Sequence, residues 1–156
     1  MMATAWYVLR SKPFKEEFLW GQMLAHQIEV FYPAIQAAAF SAHARKTKPY
    51  FPGHLFIHLD LEHIQSDFLN QVPGSHGLIV LGQRPVRIPD YMIGAIRLRL
   101  ECINRETVRQ TADRQPVRAT SILEDAADCI AIFDNCGSGV ERVRTLVKLL
   151  REMEAV

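Results

Sequence analysis

Three scarcities in this sequence of 156 residues exclude whole classes of protein. The three cysteines, Cys102, Cys129 and Cys136, are odd in number and scattered, so we expect a reducing, cytoplasmic environment rather than a disulfide framework. No charged and then apolar leader with a small-residue cleavage site precedes Trp6. The longest apolar runs, such as 78–81, fall far short of the roughly 20 residues that a helix needs to cross a bilayer, so no membrane partner is expected.

An excess of charge of either sign is also lacking. The chain has 18 basic and 17 acidic residues and a formal net charge of +1. Such a chain does not coat nucleic acid non-specifically, so any contact with DNA or RNA must be local or made through a protein partner. The hydrophobic content of 49% can bury one good core, with room for a small satellite.

Catalytic and metal-binding motifs are missing as well. The sequence has no Gly-x-Ser-x-Gly, no phosphate-cradling glycine loop and no Cys-x-x-Cys. The best metal candidates are His54, His58 and His63, but residues four apart on a strand lie roughly 13 Å from each other, too far to share one ion. We therefore expect no catalytic residue, no metal, no cofactor and no enzymatic activity.

The strongest structural pattern is the stretch 48–61. A Pro-aromatic-Pro-Gly corner opens into a strand whose alternate positions 55, 57 and 59 are all aliphatic, which indicates a central strand of a mixed sheet. The flanking patterns predict strands over 5–10, 29–32, 77–81 and 86–88, a helix over 14–27, a short helix or helical turn over 62–70, and a long helix that begins near Pro89.

A basic run between two apolar arms predicts an exposed hairpin. The arms are 34–40 and 46–50, and the tip and return arm carry Arg45, Lys46 and Lys48. A solvated loop is the alternative interpretation, because short charge runs usually are solvated.

Aromatic residues exceed what one small core can hold. Some of them should therefore form an exposed apolar patch of the kind that marks a partner surface, although each one can also be explained as a core residue. The residues concerned are Tyr7, Phe31, Tyr50, Phe51, Phe56 and Phe68. Trp6, in the first strand opposite the helix, is expected in the core.

A change of composition divides the chain into an N-terminal domain over 1–106, a linker over 107–115 and a C-terminal part over 116–156. The linker region is rich in Thr, Arg, Gln and Asp and has little that could pack. The C-terminal part is too small to fold with much margin unless it docks or closes into a barrel. Helix and strand patterns conflict over 140–153, so both structures stay open.

Six short motifs resemble one family when they are taken together. They are WYV at 6–8, VFYP at 30–33, YFPGHLF at 50–56, VPGS at 72–75, RPV at 84–86 and IPD at 88–90. In this order they resemble the N-terminal (NGN) domain of the NusG family of transcription elongation factors. The resemblance implies an α+β fold, a mixed sheet flanked by helices, followed by a small KOW-like β-barrel. A C-terminal helical hairpin docked on the N-terminal domain is the alternative.

The same resemblance implies a non-enzymatic elongation or antitermination factor that suppresses pausing or termination. In the family, an aromatic-lined depression binds the clamp helices of the large RNA polymerase subunit, and a second contact reaches the opposite lobe. By position, the polymerase-binding residues would be Tyr7, Arg10, Phe51, Pro52, His54, Gln65, Ser66, Asp67 and Leu81. The alternative is an RNA-binding or ribosome-associated adaptor without direct polymerase contact.

The short hairpin region and the compact C-terminal part are most similar to the RfaH-like paralogues of the family. In such paralogues the first helix reads an exposed non-template DNA strand. The implied nucleic-acid contacts are Lys12, Gln22 and His26, joined by Arg45, Lys46 and Lys48 of the hairpin. We expect a monomer, with a ribosome or a termination factor as open choices of partner for the C-terminal part.

Overall fold

The structure is a computed structural model, which describes residues 4–36, 47–109 and 131–154. In these ranges the strands are β1 (Ala5–Ser11), β2 (Glu29–Phe31), β3 (Ala34–Gln36), β4 (Thr47–Pro49), β5 (His54–Leu59), β6 (Ser75–Leu78), β7 (Val80–Leu81), β8 (Arg84–Pro85) and β9 (Arg87–Ile88). The helices are α1 (Glu16–Ala25), α2 (Ser66–Gln71), α3 (Asp90–Arg109) and α4 (Gly139–Glu154), and residues 131–134 are also helical. The fold is α+β, as predicted. No helix in this part of the chain is both long and apolar enough to span a membrane.

The main sheet is built around β1. Its strand order is β2-β5-β1-β6, and β9 pairs with β1 as well. β5 lies between β2 and β1 and is antiparallel to both, so it is an interior strand as predicted. The expectation of mixed strand directions is wrong for the described pairings, which are all antiparallel. The reason is that β1 and β2, which run the same way, are separated by β5.

The alternation of β5 divides the interior into two cores. Leu55, Ile57 and Leu59 lie on one face of the sheet with α1 and α2, and we call this group the α1 core. Phe56 lies on the other face with Trp6 and with residues of α3 and α4, and we call this group the α3 core. Trp6 is buried there, as predicted. The alternation at 55, 57 and 59 in the sequence therefore corresponds to one buried face of the sheet.

Helix α1 is shorter than the predicted span 14–27. Phe14 and Gln27 adopt left-handed φ values of 60° and 59°, which an α-helix does not accommodate. The helix therefore begins after Phe14, at Glu16, and ends before Gln27.

The base of the predicted hairpin is present. β3 and β4 pair antiparallel, with Ile35 opposite Lys48. The predicted tip, including Arg45 and Lys46, lies outside the described residues.

The β-barrel predicted for the C-terminal part is wrong for residues 131–154, which form two helices, 131–134 and α4, joined by a turn. The start of α4 explains why. The Glu141 amide donates to Ser138 Oγ at 3.3 Å, and the Glu141 carboxylate accepts from the Gly137 amide at 2.6 Å. Ser138 thus accepts from an amide of the first helical turn, as an N-cap residue does, and the Glu141 carboxylate holds the backbone just before the helix. The alternative prediction, a helical hairpin docked on the N-terminal domain, is consistent with the helices found over 131–154. Residues 116–130 lie outside the described ranges.

Helix α3 extends into the predicted linker. It ends at Arg109, so residues 107–109 are helical, and residues 110–115 lie outside the described ranges. The division into two domains stays a prediction.

Candidate partner-binding site beneath helix α4

The site starts from a rigid corner between β4 and β5. Gly53, with a φ of 76°, allows the chain to turn there, and the His54 amide donates to the Phe51 carbonyl at 3.1 Å. The Gly53 carbonyl accepts from the Ser11 amide at 2.8 Å, and the Gly53 amide donates to Glu16 Oε1 at 3.0 Å. These bonds tie the corner to β1 and α1, so Phe51 has one fixed position.

Phe51 is the centre of an aromatic cluster. Its ring lies edge-to-face with Tyr50, Phe56 and Phe133, with centroids 4.9, 5.7 and 5.2 Å away. This geometry is favourable for aromatic pairs. Phe133 belongs to the C-terminal part, which therefore completes the cluster.

Helix α4 covers the cluster with apolar side chains. Leu146 and Leu150 are fully buried in the same core as Phe51, and Val143 and Val147 pack against it. The four residues recur at helical spacing, so α4 presents one continuous apolar face to the sheet.

Polar contacts between described residues also join the C-terminal helices to the N-terminal part. Arg142 Nε donates to the Tyr50 carbonyl at 2.8 Å, and the same guanidinium lies 4.3 Å from the centroid of the Tyr50 ring. Arg99 Nε of α3 donates to Asp134 Oδ1 at 2.7 Å, and both side chains are partly exposed. A partly exposed ion pair contributes little free energy, so the apolar face supplies most of the stability of this docking.

A glycine allows α4 to approach the corner closely. A Cβ atom on Gly139 would lie 2.7 Å from Pro52 Cγ and 2.8 Å from Pro52 Cδ, closer than real Cβ contacts. Any larger residue at 139 must therefore displace the start of α4 or the corner.

Burial perturbs two titratable groups at the corner. Burial lowers the pKa of His54, and the positive charge of Arg10 lowers it further, whereas the hydrogen bond from Nδ1 to the Pro52 carbonyl, 2.8 Å long, raises it. Burial raises the pKa of the Tyr50 hydroxyl, while nearby Arg142 lowers it. Both groups are therefore favoured in their neutral forms.

The structure brings together only part of the predicted polymerase-binding set. Phe51, Pro52 and Leu81 lie in or against the α3 core, with Pro52 at the α4 contact. His54 is half-buried beside them, and Arg10 is exposed opposite His54 in the β1–β5 ladder. The other four do not join this group. Tyr7 is buried in the α1 core, whereas Gln65, Ser66 and Asp67 are exposed at the start of α2.

The aromatic residues predicted as an exposed patch are mostly buried, and the C-terminal helices pack on the same core as Tyr50, Phe51 and Phe56. Tyr7, Tyr50, Phe51 and Phe56 are all buried, Phe31 is half-buried, and only Phe68 of the six is exposed. In the α3 core, residues of the C-terminal part help to bury these aromatic side chains. The contributing residues are Phe133, Leu146 and Leu150.

The predicted nucleic-acid contacts are dispersed over the described residues. Lys12 and His26 are exposed on either side of α1, so roughly 15 Å of helix separates them. Gln22 is half-buried, and Lys48 is exposed on β4. The His26 ring meets Phe68 edge-on, with centroids 5.1 Å apart. No group of three His, Cys, Asp or Glu side chains that could hold a metal occurs in the described part of the chain.

The sequence did not predict the C-terminal residues that pack over the Phe51 cluster and the corner. Phe133, Arg142 and Gly139 contact the corner, and none of them was predicted as a site residue. The pattern Ser-x-x-Glu at 138–141, ahead of the apolar spacing of α4, could have identified the helix.

Residues 4–97 of the chain match the family model NusG, described as "Transcription termination factor nusG". No curated protein sequence matches the chain. Among solved structures, one on domain interaction in Thermotoga maritima NusG is similar, with 23% sequence identity and a TM-score of 0.47. The alignment covers 65% of this chain and 59% of the Thermotoga chain, so this protein spans less than two thirds of that relative's length.

Proposed function

The chain belongs to the NusG family of transcription elongation and termination factors, and we propose that it binds RNA polymerase through the surface that α4 covers. The family consists of non-enzymatic transcription factors that act with RNA polymerase in the cytoplasm or nucleoid. The observation that carries the proposal is the edge-to-face contact between Phe133 and Phe51, through which a separate C-terminal element caps an aromatic cluster of the N-terminal part.

The covered surface has the character of an interface. Phe133, Leu146 and Leu150 supply part of the burial of the α3 core that contains Tyr50, Phe51 and Phe56, so their removal would uncover apolar surface of that core. Contiguous apolar patches on soluble proteins usually mark partner surfaces. The occupant in this structure is an amphipathic helix, which supports the proposal that the clamp helices of the polymerase take its place, helix for helix.

Covering the surface has a consequence for affinity. If α4 and polymerase compete for Phe51, only the open fraction of molecules can bind, and the apparent affinity falls by that fraction. We propose that α4 restrains the free protein and that polymerase displaces it. Suppression of pausing or termination, by a bridge from this surface to the opposite lobe through Gln65, Ser66 and Asp67, is part of the same proposal.

The remaining partners are proposals of lesser scope. The exposed side chains of Lys12 and His26, with the half-buried Gln22, support contact of α1 with a non-template DNA strand. A ribosome or a termination factor could engage the C-terminal part once it is released. We propose that the protein acts as a monomer.

The outer face of α4 favours a second candidate function, an RNA-binding adaptor without polymerase contact. Arg144, Lys148 and Arg151 are exposed and recur at helical spacing on the face opposite the buried leucines. Such a row of cations can contact phosphates.

Retention of the full-length chain on purified core polymerase tests the two functions against each other. The polymerase-binding factor is expected to be retained on core polymerase in the absence of RNA. The adaptor is expected to bind free RNA and to pass through the polymerase column. A chain that binds RNA alone would contradict the first proposal. Arg144→Gln together with Lys148→Gln serves as the matched control, because it should weaken only RNA binding.

A further inference from the structure

An open cavity of about 640 Å³ lies between the start of α1, strand β4 and the β4–β5 corner. Its walls are mainly apolar and include three proline rings, those of Pro13, Pro49 and Pro52. Among the described residues, none of α3 or α4 lines it, so the cavity is distinct from the surface beneath α4. Cavities of this size, apolar with a few polar groups, are typical of small-ligand sites.

A buried carboxylate lies in this apolar wall. Glu16 lines the cavity although the residue is only 7% exposed, and its Oε1 accepts from the Gly53 amide at 3.0 Å. Within the described ranges, Oε2 accepts no hydrogen bond and Glu16 forms no ion pair. A carboxylate has about four acceptor positions, so most of this capacity is unused. A buried charge is costly unless it is paired, and the wall therefore suits a cationic hydrogen-bond donor.

The elements around the cavity hold this carboxylate in place. Glu16 is the first residue of α1, where the positive end of the helix dipole favours a negative charge. Gly53, which donates to it, is itself fixed, because its carbonyl accepts from the Ser11 amide at 2.8 Å. The acceptor is thus oriented before a ligand arrives, and binding requires little ordering of the protein.

Burial decides which charge of the cavity selects the ligand. Lys48 also lines the cavity, but its side chain is exposed, so water and salt screen the ammonium group. The Glu16 carboxylate lies in a less polar environment, where an interaction between charges is several times stronger than in water. The carboxylate therefore outweighs the lysine, and the cavity favours a cation with an apolar body.

We propose that this cavity binds a small apolar amine, with its ammonium group on Glu16 and its apolar body between the proline rings. A charge-assisted hydrogen bond is stronger than one between neutral groups. The apolar body gains free energy because its surface leaves water. A compound of the same shape with a carboxylate in place of the amine would meet a like charge at Glu16, so the site should reject it.

The test compares three compounds that share an indole ring, namely tryptamine, tryptophan and indole-3-propionate, by calorimetric titration of the purified full-length chain. Tryptamine should bind at least about tenfold more tightly than indole-3-propionate, because only tryptamine carries the amine and lacks a carboxylate. Glu16→Gln should weaken tryptamine binding by about tenfold or more, the usual effect of losing a charged hydrogen bond. The glutamine carbonyl can still accept from the Gly53 amide, so the corner should be retained.

Glu17→Gln is the matched control, because it removes the same charge from the exposed neighbour of Glu16 and keeps an acceptor for the Thr47 hydroxyl. It should leave the affinity for tryptamine unchanged. A second measurement needs no substitution. On addition of tryptamine to the parent chain, the amide resonance of Gly53 should shift, since that amide donates to the carboxylate that the ligand contacts. The amide resonance of Gly94, in α3, should stay in place.

Tryptophan distinguishes two ligand groups. If it binds as tightly as tryptamine or more tightly, the site accepts amino acids, and if it binds more weakly, the site prefers simple amines. Either result supports the proposal. Four results would overturn it: no binding of tryptamine, equal affinity for tryptamine and indole-3-propionate, equal affinity of Glu16→Gln and the parent chain for tryptamine, or an unchanged Gly53 resonance. Polymerase is absent from these measurements, so their outcome does not bear on the proposed function.

Discussion

At the scale of single residues, His54 couples the stability of the corner to pH. Burial lowers its pKa in the folded protein, so the unfolded chain binds the proton more readily. Above about pH 6.5 the histidine is neutral in both states and contributes no pH dependence. As the pH falls from there towards the lower folded pKa, the unfolded state gains protons first and stability is lost.

The expected outcome is a free energy of unfolding that declines below about pH 6.5, and a shallower decline for His54→Gln. Urea denaturation of both proteins across this pH range measures the difference. His76→Gln, a change at an exposed histidine, is the control and should follow the parent chain. Parallel declines of His54→Gln and the parent would show that His54 has no part in the effect.

Two glycines predict opposite effects of the same substitution. At Gly94 in α3 an added Cβ meets nothing within 4 Å, so Gly94→Ala should raise the free energy of unfolding by about 0.5–1 kcal/mol. At Gly139 the Cβ would lie 2.7 Å from Pro52 Cγ, so Gly139→Ala should lower it by about 1–3 kcal/mol. Chemical denaturation checks both values. A stabilising Gly139→Ala would mean that α4 does not approach the corner this closely.

At the scale of elements, the N-terminus of α4 determines whether the covering helix forms. Ser138→Ala removes the acceptor for the Glu141 amide and should cost about 1 kcal/mol. Because α4 and the Phe51 cluster share one core, faster amide exchange is expected both in the first turn of α4 and around Phe51. Ser66→Ala at the start of α2, whose N-cap has no side-chain hydrogen bond, is the matched control. If exchange becomes faster only in α4, the stability of the helix is not coupled to that of the Phe51 cluster.

Local patterns predicted the elements of the N-terminal part but not the identity of α4. The alternation over 54–59 defines β5 and both of its faces, and the IPD motif marks the start of α3. In 140–153 the valines favour a strand by intrinsic preference, whereas their spacing fits a helix. The choice depends on the acceptor at Ser138 and on a core beneath α4 that comes from residues far away in sequence, such as Phe51. Propensity carries no information about such a partner.

The same limit explains the site prediction. Motif position grouped Phe51, Pro52 and Leu81, and the structure places Phe51 in the α3 core, Leu81 against that core and Pro52 at the α4 contact. It could not place Tyr7 on the opposite face of the sheet without the β1 register, nor reveal that Phe133 covers Phe51. Contacts between segments so distant in the chain leave no local pattern.

At the scale of the whole molecule, the burial of Phe51 changes how polymerase binding must be tested. If Phe51 contacts polymerase, Phe51→Ala should weaken polymerase binding. The ring is fully buried against three others, so its truncation should also cost about 3–5 kcal/mol of folding free energy. A loss of binding by that variant would not separate contact from unfolding. Substitutions in the covering helix α4 are more informative, because they leave the Phe51 cluster itself unchanged.

Leu146→Ala is the most informative of these, because Leu146 is fully buried and belongs to α4, the helix that polymerase is proposed to displace. The truncation should weaken the docking of α4 by about 2–4 kcal/mol, while the contacts among Tyr50, Phe51 and Phe56 are retained. The open fraction then rises, and the apparent affinity for core polymerase rises with it until every molecule is open. Titration of labelled full-length protein with core polymerase measures the gain in affinity, and amide exchange around Phe51 confirms the opening.

Lys148→Ala, on the outer face of the same helix, should change neither the affinity nor the exchange. If Leu146→Ala accelerates exchange at Phe51 and the affinity stays the same, polymerase does not use the surface beneath α4.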